Sequence, residues 1–149
     1  MRLQSNAGLQ IQKPIADVFE GIVNPVHMTQ YFISESSGRL ETGKEVVWKF
    51  PEFPDTFPIT QVSVVPQHEI SFVWDPETVV TITLEAMPDQ STVVRVNENG
   101  KELTEENLKW ALENSGGWAN FLACMKAYLE YGIRLREGAF DFMRKNKSN

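Results

Sequence analysis

Trp118, Phe121, Leu122, Met125, Leu129 and Ile133 recur at the spacing that puts them on one face of an α-helix. No other segment carries a helical pattern of comparable length, so this one must cover whatever sheet the rest of the chain builds. Thr104 can cap the helix, Glu105 and Glu106 suit its positive first turn, and helical character runs on to about Phe142. Upstream, Leu108, Ala111 and Leu112 are apolar but centre to one side of the stripe. The mismatch falls at residues 114–117, where Gly116 and Gly117 each cost about 1 kcal/mol relative to alanine in a helix interior. The spacing predicts either a bend or a separate short helix there. The small residues either admit a close backbone or leave space open, and the pair is expected to be the hinge at which Trp118 turns toward the sheet.

Ahead of that helix the pattern has period two, the mark of half-buried strands. Residues 2–12 alternate, with Leu3, Ser5, Ala7, Leu9 and Ile11 on one side. Ile15, Val18, Phe19 and Ile22 then follow helical spacing, and Asn24-Pro25 opens a second short helix to about Phe32. Further strands are predicted at 45–50, 57–65, 68–74, 78–86 and 91–98, with a weaker one at 34–40. Their inward faces carry Val46, Trp48 and Phe50; Ile70, Phe72 and Trp74; Val80, Ile82 and Leu84; and Val94 and Val96. Residues 51–58, PEFPDTFP, read as a loop because proline discourages central pairing. The loop is either a stiff hairpin connection or a cavity rim gated by Phe53 or Phe57. The fold class expected is α+β: a curved antiparallel sheet of about six or seven strands wrapped around a long C-terminal helix, with two short helices after the first strand. The whole chain, 1–149, reads as one domain, ending in a flexible tail at 143–149.

A net charge of −6 with no basic stripe argues against nucleic acid as a partner. The one basic cluster, at Arg144, Lys145 and Lys147, reads as part of the solvated tail. No apolar run has the roughly 18 residues of a membrane span, and the N-terminus lacks the continuous apolar stretch of a signal peptide. These features, with a single cysteine that cannot form an intrachain disulfide, point to the cytoplasm.

Four stretches together resemble a known family. They are IQKPIADVFEGIVNPVHMTQYF at 11–32, ETGKEVVWKF at 41–50, HEISFVW at 68–74 and GGWANFLACMKAYLEYG at 116–132. In this order and spacing they are similar to the START-like (SRPBCC, helix-grip) superfamily, in the branch named after the activator of the heat-shock chaperone ATPase. The resemblance spans almost the whole chain. It implies the helix-grip fold and a cavity between sheet and helix, in a superfamily of lipid carriers, aromatic-ligand binders, cyclases and chaperone regulators. Eukaryotic chaperone activators carry an additional N-terminal domain, whereas this sequence is expected to begin directly at the START-like domain, so the resemblance does not by itself imply chaperone activation.

The residues expected to line such a cavity are Trp48, Phe50, Phe72, Trp74, Glu98, Trp118, Phe121, Leu122 and Met125. From periodicity alone the same aromatic set also fits a solid core. Glu98 continues the inward alternation of Val94 and Val96. It would hydrogen-bond a polar ligand group or, with a raised pKa, act as a general base; at a strand end it could equally reach solvent. The tryptophan N–H groups are the other candidates to orient a ligand. Arg95 falls on the outer face.

No metal, cofactor or catalytic residue is assigned. His27 and His68 are isolated, His27 as an exposed or locally hydrogen-bonded residue. Cys124 reads as a small hydrophobe beside the core stripe. The leading functional expectation is burial of a small hydrophobic or aromatic molecule. The alternatives are a protein-interaction module partnering a chaperone or stress-response protein, and a cofactor-free cyclase.

Overall fold

A computed structural model of the chain describes residues 1–143. The element order is β1 (Arg2–Ile11), α1 (Ile15–Val23), α2 (Pro25–Tyr31), β2 (Glu35–Ser36), β3 (Val46–Lys49), β4 (Thr56–Val65), β5 (Glu69–Val73), β6 (Val79–Ala86), β7 (Thr92–Glu102) and α3 (Glu105–Tyr131). The seven strands form one antiparallel sheet in the order β1-β7-β6-β5-β4-β3-β2. This is the helix-grip arrangement: a single sheet offers one apolar face, and one long helix covers it.

Alternation sets the inner face. Val80, Ile82 and Leu84 of β6 are buried beside Val94 and Val96 of β7 and Ile70 and Phe72 of β5. Strand β4 keeps both Ile59 and Val62 buried, although an odd spacing should send them to opposite faces. The pairing with β5 shifts between Thr60 and Ser63, and Gln61 there takes a left-handed φ of 50°. The extra residue of that bulge restores the inward register.

The helix starts follow their caps. The Asn24 side chain accepts from the Val26 amide with Pro25 in the first turn of α2, and the Thr104 hydroxyl accepts from the Asn107 amide at 3.1 Å. Helix α3 crosses the inner side of β1, where the Ser5 hydroxyl donates to the Ala111 carbonyl at 3.0 Å.

Two expectations about this helix are corrected. It is uninterrupted from Glu105 to Tyr131, so no separate short helix occurs upstream of the glycine pair. A Cβ added to Gly116 or Gly117 would meet nothing within 4 Å, so space is open at both glycines. The phase mismatch has a plainer cause. Of the three upstream apolar residues only Ala111 is buried, while Leu108 is 45% and Leu112 70% exposed.

The helix also stops earlier than Phe142. Gly132 adopts a left-handed φ of 68°, and its N–H and that of Ile133 return to the last-turn carbonyls of Tyr128 and Ala127. Ile133 therefore leaves the apolar stripe and is 53% exposed. The chain beyond runs back as a strap containing a short 3₁₀ turn, Asp141–Met143. Apart from Met143, the tail expected at 143–149 and its basic cluster lie outside the described residues. No described helix is long and apolar enough to cross a membrane.

Candidate functional site

Strand β7 carries Glu98 inward, where it is 1% exposed, between Ser5 of β1 and Val80 of β6. Its carboxylate collects four donors. Oε2 accepts from the Trp74 indole N–H at 2.9 Å and the Thr78 hydroxyl at 2.7 Å. Oε1 accepts from the Asn114 amide at 2.8 Å and the Trp118 indole N–H at 2.9 Å. Burial of a carboxylate is tolerable only with such saturation. The cluster ties the β5–β6 turn, β7 and α3 to one point.

Beside this cluster opens a cleft of about 510 Å³. The 51–58 loop and the start of β4 contribute Phe53 and Phe57, β3 leads into Phe50, β5 into Trp74, and the first turns of α3 supply Trp110. All five rings are partly buried. Phe50 meets Phe57 edge-on at 5.3 Å, and Trp74 stacks on Trp118 at 5.1 Å. Asp75, Glu98, Asn114 and Arg136 are the polar side chains at the cleft wall. Lys101 braces the rim: its ammonium lies 3.1 Å from Asp75 and 5.0 Å over the Trp110 ring. Burial alone would lower the Lys101 pKa, but hydrogen bonding and charge from Asp75 and then Glu77 together outweigh it and hold it above its ordinary value.

The strap after α3 closes the inner end. Arg136 makes a 2.9 Å ion pair with Glu52, the two side chains being 12% and 3% exposed. Its guanidinium carbon lies 5.9, 5.6 and 5.2 Å from the ring centres of Phe32, Phe50 and Phe140. Two smaller hollows, of about 140 and 150 Å³, flank the same arginine. The first also borders Trp118, Phe121 and Gly117.

The residues read from the sequence divide accordingly. Phe50, Trp74 and Glu98 border the cleft, and Trp118 and Phe121 border the smaller hollow beside it. Trp48, Phe72, Leu122 and Met125 are fully buried in the packed core and line none of these three spaces. The interface between sheet and helix is therefore solid at its middle and open at one end. Glu98 does not reach solvent, and both its oxygens and both indole N–H groups are engaged with one another. Trp110, Asn114 and Arg136 were not singled out from sequence. Trp110 lies off the helical stripe, and Arg136 arrives through a fold-back 84 residues from its partner. Arginine beyond a terminating Gly132 was the available signal.

Elsewhere, the His27 ring shares a 2.7 Å hydrogen bond with the Tyr128 hydroxyl, 101 residues away, so its partner is not local. Tyr128 in turn stacks on the buried Tyr31, whose phenol burial pushes well above its ordinary pKa. Cys124 is fully buried. Arg95 lies on the outer face, paired with Glu85 at 2.7 Å. Among the described residues, no three His, Cys, Asp or Glu side chains gather as a metal site would require.

Comparison with known proteins adds the family. The sequence model described as "Activator of Hsp90 ATPase homolog 1-like protein" matches residues 12–130. A solved structure of a Staphylococcus saprophyticus protein is 30% identical, with a TM-score of 0.80, covering 90% of this chain and 96% of that one. DynU16, from the dynemicin biosynthetic locus, is 24% identical with a TM-score of 0.76, covering 87% of this chain and 48% of its own. The Aha1 dimer from Colwellia psychrerythraea is 19% identical with a TM-score of 0.73, over 87% and 98% of the two chains. The latter two share the fold. A search of curated protein sequences found no match.

Proposed function

The chain belongs to the Activator of Hsp90 ATPase homolog 1-like family, and on that premise we propose that it is a single START-like unit binding a small aromatic or hydrophobic molecule. The observation that carries this reading is the cleft of about 510 Å³ walled by Phe50, Phe53, Phe57, Trp74 and Trp110. Ligand pockets are concave, mostly apolar and have few polar groups, and their volumes span this size. Binding would come from burying apolar ligand surface, at about 25 cal/mol per Å² before the cost of association. The ligand would seat at the open end of the grip, against Trp74 and Trp110, while the packed core beneath stays intact.

N-phenylnaphthylamine, a neutral aromatic probe, tests this. Titration should give saturable emission enhancement and matching quenching of tryptophan fluorescence, weakened about tenfold or more by Trp110→Ala. A non-saturating response, or one unchanged by Trp110→Ala, rejects the cleft as the site.

A second reading, a module that docks on a chaperone, has its own observation. Leu108 and Leu112 project from α3 one turn apart, 45% and 70% exposed, in a family named for chaperone activation. Its test is binding to a purified Hsp90-type chaperone, with Leu112→Glu expected to abolish it. The cyclase reading would need a proton-transfer group open to the cleft, and Glu98 has two donors on each oxygen.

A further inference from the structure

Among the described residues, Arg136 is the one cationic side chain on the wall of the aromatic cleft, and it borders both smaller hollows as well. A guanidinium presents five N–H donors in a planar fork, suited to two parallel bonds with an oxyanion. Here Nη2 alone makes a hydrogen bond to a described residue, to one oxygen of Glu52 at 2.9 Å. Glu52 thus holds one prong of the fork through one bond, where a full carboxylate pair would make two. Phe32, Phe50 and Phe140 surround the group and leave it 12% exposed, so it is a largely desolvated cation beside a ring-lined space.

Both carboxylates of the cleft are committed. Glu98 is saturated, with the Trp74 and Trp118 indole N–H groups among its donors, and Asp75 is paired with Lys101. The charged group left to orient a ligand is Arg136, whose remaining N–H groups make no hydrogen bond to a described residue.

We infer that the cleft selects planar aromatic ligands bearing an anionic oxygen, which the Arg136 guanidinium takes while the rings lie against Phe50, Trp74 and Trp110. Glu52 is then a competing internal anion on the same guanidinium. This inference rests on the cleft being a ligand site. It adds to that reading a charge requirement and the residue that imposes it. An arginine that merely pins the strap through Glu52 makes the opposite forecast, because loss of either partner would then act alike.

The test uses the full chain and two probes with the same ring framework, anilinonaphthalene sulfonate and neutral N-phenylnaphthylamine, titrated by fluorescence. The sulfonate should bind about tenfold more tightly than the amine, the increment expected of one charge-assisted hydrogen bond. Arg136→Met should remove that preference and leave the amine within about twofold. Glu52→Gln should strengthen sulfonate binding, because it frees the guanidinium while breaking the same ion pair. Arg136→Lys, which keeps charge without the fork, should fall between. Glu52→Gln and Arg136→Met shifting both probes in the same direction overturns the inference, as does a sulfonate-to-amine ratio unchanged in Arg136→Met. In either case saturable binding of the amine would leave the ligand site standing. Binding of neither probe by the wild-type chain overturns the ligand site and this inference together.

Discussion

The indole rings of Trp74 and Trp118 stack with centroids 5.1 Å apart, and each donates its N–H to a different oxygen of the same carboxylate, Glu98. One ring follows β5 and the other lies on α3, so a stacked pair and a shared acceptor hold the helix to the sheet at the edge of the cleft. An indole N–H can only donate. The acceptor role of Glu98 is therefore obligatory.

Replacing Glu98 by glutamine should expose that dependence. The amide keeps one acceptor oxygen and turns two hydrogens toward groups that themselves donate. The Thr78 hydroxyl can rotate to accept, but an indole N–H cannot, so at least one buried donor is stranded. We expect Glu98→Gln to cost about 1–3 kcal/mol in urea unfolding. Adding Trp74→Phe should recover part of the loss as a positive coupling, provided the stranded indole is the cause. A single-variant loss under about 0.5 kcal/mol would show that the carboxylate is not the staple.

Glycines in two places should respond in opposite senses. At Gly116 and Gly117 an added Cβ meets nothing within 4 Å and the helix is continuous. Alanine at either position should therefore stabilise the fold by about 0.5–1 kcal/mol through helix propensity. Gly100 has a φ of 137°, and its added Cβ would sit 2.2 Å from the Glu77 carbonyl oxygen. Gly100→Ala should lose more than about 2 kcal/mol, since strain and backbone collision coincide. Thermal midpoints moving the same way in all three variants would contradict this account.

What could be read in advance follows from which residues report their surroundings locally. The alternation of Val80, Ile82 and Leu84 exists because one sheet face is buried, so period two discloses both strand and face. The inward aim of Glu98 was legible for the same reason. Its four partners were not, because Trp74, Thr78, Asn114 and Trp118 converge only once sheet and helix are assembled. The phase mismatch at the glycine pair suggested a separate helix because two exposed leucines, Leu108 and Leu112, imitate a core stripe out of phase. Residues with no burial to report can carry any pattern. Arg136 lies beyond the helix stop at Gly132, where no periodicity applies, so the cation of the cleft was silent in the pattern.

Cys124 offers a probe of the core from within. It is fully buried, and burial pushes its thiol above the ordinary cysteine pKa, partly offset by the charge of Arg136. An aromatic disulfide reagent at about pH 8 should leave the native protein unmodified and titrate the one thiol on unfolding. The rate in subdenaturing urea should track the global unfolding equilibrium. Rapid native reactivity would mean that α3 lifts from the sheet far more readily than its packing suggests.

Acid should weaken the fold through Glu130. Burial of this carboxyl, 7% exposed, acts to raise its pKa, but the Gln12 amide at 2.8 Å and the Lys126 ammonium outweigh it. Its folded pKa therefore lies below the ordinary value of 4.5. A carboxyl with a depressed folded pKa contributes stability that is fully present above the unfolded pKa. That contribution drains away as pH falls from about 4.5 through the folded value. The Gln12 bond joins the end of β1 to the last turn of α3, so the effect concerns the grip itself. Glu130→Gln should cost about 1 kcal/mol near pH 7, and wild type and variant should converge once the pH has fallen below the folded value. Glu20, lowered by its hydrogen bond from Arg39, should show the same sign with a smaller size because both side chains are more exposed. A Glu130→Gln deficit that stays constant from neutral to acidic pH would assign the loss to packing and remove the charge from the argument.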